Sequence, residues 1–162
     1  MSTFVSVGNP TQPFRRLLDA VTIIASELPQ PVFVQSGSTP FHADGCESEP
    51  FLAMGEFENR VARSELLIMH AGAGSVIHAI RAGKVPVVMP RRAPHGEHVD
   101  DHQVEFAREL ARAGRIVVAE EPVDLLRVVR EALVRQASAG HIAEAPEMIR
   151  MIADVLRRYA TR

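Results

Sequence analysis

Several kinds of residue are scarce in this chain, and each scarcity closes off a class of protein. Cys46 is the only cysteine, so there is no internal disulfide framework and the composition fits a reducing compartment. No apolar run approaches the roughly 20 residues that a membrane helix needs. Ser2 to Val7 runs straight into a β-rich segment and lacks the basic-then-apolar layout of a signal peptide. Excess charge is missing too: a net charge of −2 gives no nucleic-acid signature. Lys84 is the only lysine, which fits a GC-rich genome and says nothing of mechanism. The expectation is a soluble, cytoplasmic protein that binds no nucleic acid.

What is present suffices for one domain. The 162 residues are 46% hydrophobic, enough for a core without staples. Apolar periodicity predicts strands at Thr3–Val7, Pro31–Gln35, Leu66–Met69, Val85–Met89 and Arg115–Ala119. Between them it predicts helices at Pro13–Leu28, Glu56–Arg63, Val76–Ala82 and Gln103–Ala113, with Pro122–Ala137 and Ala145–Tyr159 closing the chain. Ser36–Pro50 and Arg91–Asp101 read as polar loops. Strands alternating with helices imply an α/β fold, a Rossmann-like parallel sheet with helices on both faces. Ligands on such sheets bind beyond the carboxyl ends of the strands. The loops after Val7, Met69 and Met89 therefore share one rim.

The densest signal is LLIMHAGAGSVIHAIRAGKVPVVMP, Leu66 to Pro90: strand, glycine turn, helix, strand. The turn His70-Ala71-Gly72-Ala73-Gly74-Ser75 opens a helix whose free N–H groups and dipole suit a phosphate. It also reads as a plain tight turn with Ser75 as the cap. A dinucleotide fingerprint fails, because Ile77 stands where a third glycine belongs and Met89-Pro90-Arg91 stands where an acidic residue belongs. Gly8-Asn9 after the first strand is a second candidate phosphate-facing turn.

His95 to His102 packs three histidines and three carboxylates into eight residues, which invites a metal reading centred on His95, His98, Asp101 and His102. The spacing matches no helical or alternate-histidine ligand pattern, and a run this polar reads more simply as a solvated loop. Asp100 or Asp101 can cap the helix that follows.

Three segments together resemble glycosyltransferase family 28, in its C-terminal, donor-binding domain. They are VSVGNPTQPFRRLL (Val5 to Leu18), HAGAGSVIHAIRAGKVPVVMP (His70 to Pro90) and DDHQVEFARELARAG (Asp100 to Gly114). The likeness is strongest to the family's short stand-alone members, the catalytic subunits of split N-acetylglucosaminyltransferases and bacterial exopolysaccharide subunits. It implies the C-terminal half of a GT-B fold that holds a UDP-sugar, with residues 1–162 as one domain. Gly8 and Asn9 would lie near the diphosphate, and Gly72, Ala73, Gly74 and Ser75 would cradle it. Met54 falls where the backbone reads the uracil, and His102 and Gln103 match a pair that bonds the transferred sugar. His78 stands where many relatives carry a carboxylate for the ribose, while Asn9 and Arg15 replace a threonine and an acidic residue. His70 is the in-chain candidate for a catalytic role, through contact with the leaving group.

The resemblance further implies an inverting transfer that needs neither metal nor cofactor. It implies a membrane-associated partner that binds a lipid-linked acceptor and holds this chain at the inner membrane face, in polysaccharide or glycolipid synthesis. Residues 141–162 are the expected docking helix, with Met148, Ile152, Val155, Leu156 and Tyr159 as its apolar stripe. Two other functions fit the residues: a nucleotide-binding module without catalysis of its own, and a metal-dependent hydrolase built on His95 to His102.

Overall fold

The computed structural model describes residues 2–138 together with Arg150, Ala153, Asp154, Arg157 and Arg158. Apart from those five residues, the expected docking helix falls outside the described residues, as does all of its stripe.

The strands are β1 (Thr3–Ser6), β2 (Val32–Gln35), β3 (Cys46–Glu49), β4 (Leu66–His70), β5 (Val87–Met89) and β6 (Val117–Val118). The helices are α1 (Arg15–Ile24), α2 (Met54–Arg63), α3 (Ala73–Arg81), α4 (His102–Arg112) and α5 (Leu125–Ser138), with a 3-10 turn at Ala25–Glu27 extending α1. All strands pair in parallel, in the order β3-β2-β1-β4-β5-β6.

Alternation along the strands sorts the core into two layers. Val5, Ile68, Val87 and Met89 point to one face, where they meet Leu17 and Val21 of α1 and Val128 and Val129 of α5. Phe4, Leu67 and Met69 point to the other, against Val61 of α2 and Ala79 of α3. On that second face Val88 packs with Ile77 and Ile80 of α3 and Phe106 and Leu110 of α4. Central strands buried on both faces explain why β1, β2 and β4 read as continuous apolar runs.

One strand departs from the sequence expectation. The Ser36–Pro50 segment, read as a loop, contains β3, whose residues Cys-Glu-Ser-Glu are partly or fully exposed. It pairs with β2 in parallel, from Val32 opposite Cys46 to Gln35 opposite Glu49, and only Cys46 packs against the core. Its charged side chains suit an edge, where they discourage pairing with another chain.

Candidate functional site

The chain leaves β1 toward one side of the sheet and β4 toward the other, although β1 and β4 are neighbours. The reversal opens a crevice at their carboxyl ends, where ligands of open α/β sheets bind. A cavity of about 600 Å³ occupies it, within the size range of small-molecule sites. Gly8, Asn9, Met54, His70, Gly72, Ala73, Gly74, Ser75 and His78 all line that cavity. His102 and Gln103 line an adjoining hollow of about 240 Å³ that shares Gly72 and Ala73 with it. The turns after β1 and β4 and the start of α4 thus meet in one place. Gln35, Leu52, Phe57 and Glu58 line the cavity too, and sequence reasoning missed all four.

The glycine turn differs in detail from its sequence reading. Helix α3 starts at Ala73, earlier than Val76, and Gly72 is its N-cap with φ −68° and ψ 125°. Ser75 lies inside the first turn and is not the cap. The first intrahelical bond runs from the Val76 N–H to the Gly72 carbonyl at 3.0 Å. The N–H groups of Ala73, Gly74 and Ser75 precede it, so the helix gives them no carbonyl. A glycine cap has no side chain to satisfy them either. These donors and the positive end of the dipole face the cavity.

A second donor comes from the loop after β1. Gln35 accepts the Ser6 hydroxyl on Oε1 at 2.7 Å and donates from Nε2 to Asn9 Oδ1 at 3.1 Å. The Asn9 amide oxygen is thereby held toward the protein, and its NH2 group is left for the cavity. Gly8 makes the turn with φ +76°. The available signal for Gln35 was a polar residue ending an otherwise apolar strand.

His70 forms the floor and is only 5% exposed. Its ring lies between the two glycine turns: a Cβ at Gly8 would fall 2.4 Å from Nε2, and one at Gly72 2.2 Å from Cε1. Burial first, then the charges of Arg91 and His98, push its pKa from 6.5 down to about 3. The folded protein therefore keeps His70 neutral while the unfolded chain takes up a proton below about 6.5. Stability from this group is level above pH 6.5 and falls from there toward pH 3, by up to about 1.4 kcal/mol per pH unit. Denaturant midpoints compared between wild type and His70→Asn over that range check this; equal slopes in the two proteins would contradict it.

Gln103 is buried as well. Its Oε1 accepts the backbone N–H groups of Ala71 at 3.2 Å and Arg91 at 3.1 Å, and its Nε2 lies 3.4 Å from His70 Nδ1. It ties α4 to the ends of β4 and β5, so its amide oxygen is engaged by the scaffold.

The loop read as solvated holds a buried ionic hub. Arg91 is 0% exposed and Glu97 4%. The Arg91 guanidinium donates to the carbonyls of Val7, Gln12 and Glu97 at 2.7, 2.8 and 2.9 Å, under the Phe14 ring. Glu97 accepts Arg16 Nε and Nη2 at 2.9 and 3.0 Å and the Arg92 N–H at 2.9 Å. The hub pins the loop that carries Gly8 and Asn9. Burial lowers the Arg91 pKa to about 10, with Glu97 opposing the shift.

Of the histidines beyond it, His98 and His102 share one carboxylate. Asp100 pairs with His98 Nδ1 at 3.3 Å and His102 Nδ1 at 3.1 Å, and accepts the His102 N–H at 3.0 Å. That backbone bond is the main cause of a lowered Asp100 pKa. Asp101 is the N-cap of α4, yet its carboxylate bonds the Ala93 N–H at 2.9 Å, not the helix. Among the described residues no three His, Cys, Asp or Glu side chains are grouped to hold a metal ion. Asp101 ties the loop to Ala93, while His98 and His102 pair with Asp100.

Residues 2–148 match the glycosyltransferase family 28 C-terminal domain. The chain belongs to that family. It is 37% identical over 82 residues to the UDP-N-acetylglucosamine transferase subunit ALG13 of Yarrowia lipolytica, covering 50% of this chain and 40% of that protein. Over 129 residues it is 30% identical to the UDP-N-acetylglucosamine--N-acetylmuramyl-(pentapeptide) pyrophosphoryl-undecaprenol N-acetylglucosamine transferase of Solibacter usitatus, covering 74% of this chain and 34% of that one. The chain therefore matches two fifths or less of the length of these relatives. In structure it is similar to CalG4, the calicheamicin glycosyltransferase, with a TM-score of 0.61 at 19% identity, covering 99% of this chain and 41% of that one. The fold is that of one half of a GT-B glycosyltransferase.

Proposed function

We propose that this family 28 domain binds the UDP portion of a UDP-sugar and serves as the donor half of an inverting glycosyltransferase. The observation that carries the reading is the convergence of hydrogen-bond donors on one crevice: the first turn of α3, the Asn9 amide and His70. Such a rim suits a diphosphate. Leu52, Met54 and Phe57 give the same cavity an apolar end fit for a base, and His78, beside the Phe57 ring at 6.0 Å, reaches a ribose hydroxyl.

The chemistry follows from where charge develops. As the sugar's anomeric carbon is attacked, its bond to the UDP oxygen breaks and negative charge grows on the diphosphate. Donors already fixed at a helix start stabilise that charge with little reorganisation, so a metal or other cofactor is not required. His70, held neutral, is suited to the leaving group and unsuited to be the base. His102 and the hollow around it take the sugar, with Gln103 in a supporting place. UDP-N-acetylglucosamine is the first donor to test, because both relatives carry that sugar in their names.

The acceptor and general base then belong to a second component. One relative is named as a subunit. We take the partner here to be a membrane-associated, acceptor-binding protein with a lipid-linked acceptor, which keeps this chain peripheral to the membrane. Amide spectra test the donor reading. UDP should move the Ala73, Gly74 and Ser75 signals and the Asn9 side-chain pair, while uridine should move mainly residues around Met54 and Phe57. UDP shifts confined to the His95–Asp101 loop would contradict it.

A further inference from the structure

Gln103 carries an amide whose two ends are chemically opposite, and its surroundings decide which end is which. A backbone N–H can only donate, so the atom 3.2 Å from the Ala71 nitrogen and 3.1 Å from the Arg91 nitrogen has to be the carbonyl oxygen. The other end is then NH2, which only donates. It stands 3.4 Å from His70 Nδ1. That ring nitrogen must offer a lone pair, because an N–H there would face another N–H. A neutral imidazole has a single N–H, so the proton sits on Nε2.

We propose that Gln103 is a positioning residue that locks His70 as its Nε2–H tautomer, turning the ring into a neutral hydrogen-bond donor aimed at the ligand's anionic end. The tautomer follows from the protein alone, while the ligand rests on the donor-domain reading. Two further observations converge on it. His70 Nε2 is buried and has no hydrogen-bond partner among the described residues. It also sits between Gly8 and Gly72, the two turns that line the cavity. A buried donor without an acceptor is the arrangement a ligand oxygen completes. Both backbone groups that orient Gln103 lie just past β4 and β5, so the α4 start sets the proton pattern of the site floor.

The test is two-bond 1H–15N correlation of the imidazoles in the full chain labelled on histidine. The His70 pattern is assigned by its absence from His70→Asn. Wild type at neutral pH should show protonated Nε2 and bare Nδ1. In Gln103→Glu the carboxylate still accepts the Ala71 and Arg91 N–H groups but now also accepts from Nδ1, so the pattern should invert. A merely structural role for Gln103 would leave it unchanged. Protonated Nδ1 in wild type overturns the proposal, as does an unaltered pattern in a folded Gln103→Glu; should that variant not fold, the wild-type spectrum alone decides. UDP titrated into wild type should shift the Nε2 proton, and its affinity for Gln103→Glu should fall at least about tenfold, the effect of losing one hydrogen bond to a charged group. An Nε2–H ring untouched by saturating UDP would leave the tautomer lock standing and overturn the donor-site reading instead.

Discussion

Glu97→Ala is expected to destabilise the domain by about 3–5 kcal/mol, the cost of stripping one partner from a buried ion pair. Glu97 is 4% exposed and accepts two Arg16 bonds and the Arg92 N–H, so its loss leaves the Arg92 N–H without its acceptor and the Arg16 guanidinium without its counter-charge, bonded only to the Pro90 and Glu120 carbonyls. Arg91, fully buried, also loses the carboxylate that favours its charged form. Against a typical total stability of about 5–15 kcal/mol, such a loss unfolds much of a marginal chain. Arg91 also holds the carbonyls of Val7 and Gln12, so the loop carrying Asn9 should loosen before global unfolding. Denaturant titration would show a lowered midpoint with an unchanged slope. A loss below about 1 kcal/mol, the range of an exposed pair, would mean that the hub is solvated.

Gly72→Ala is expected to be nearly as damaging to the site, and for a different reason. Its backbone at φ −68° and ψ 125° suits any residue, so conformation costs nothing. The obstacle is steric. A Cβ would lie 2.2 Å from His70 Cε1 and 2.8 Å from Nε2. The ring, held at Nδ1 by Gln103 at 3.4 Å, would have to shift, and overpacking of this kind costs about 1–3 kcal/mol. UDP affinity should fall with it, because the ring and the Gly8 turn move together. In a His70→Ala background the same substitution should be close to neutral, giving a coupling within the roughly 0.5–3 kcal/mol seen for touching residues. An equal penalty in both backgrounds would show that His70 is not what Gly72 makes room for. Gly74 is the internal contrast: a Cβ there meets nothing within 4 Å.

These two sites show what the sequence can and cannot disclose. Strands β1, β2, β4 and β5 are legible because both their faces are buried, which selects unbroken runs such as Leu66–Met69. Edge strand β3 leaves no such trace: Cys46–Glu49 is held by backbone bonds to β2, and backbone bonding has no residue signature. The glycine turn at α3 is legible as a helix start near a strand end, and the cavity lining includes nine of the residues singled out from the pattern. The Ser6–Gln35 pairing is not legible, because the polar end of each apolar strand gains its meaning only from its partner on the neighbouring strand. Arg91 and Glu97 mislead in the same way. Charge in a loop reads as solvated until the carbonyls and the second arginine that bury it are brought together by the fold. Helix starts shift for a local reason: Gly72 and Asp101 cap α3 and α4 by backbone geometry without a side-chain bond.

We read the β1–β4 crevice as a metal-free site for the diphosphate of a UDP-sugar. Calorimetric titration of UDP into the purified chain in excess EDTA tests it most directly, with NAD as the control and Gly74→Leu as the blocked variant. Saturable UDP binding is expected that survives the chelator, is absent for NAD, and is lost in a folded Gly74→Leu. Binding of UDP only when a divalent metal is restored, or equal binding by the blocked variant, would contradict it.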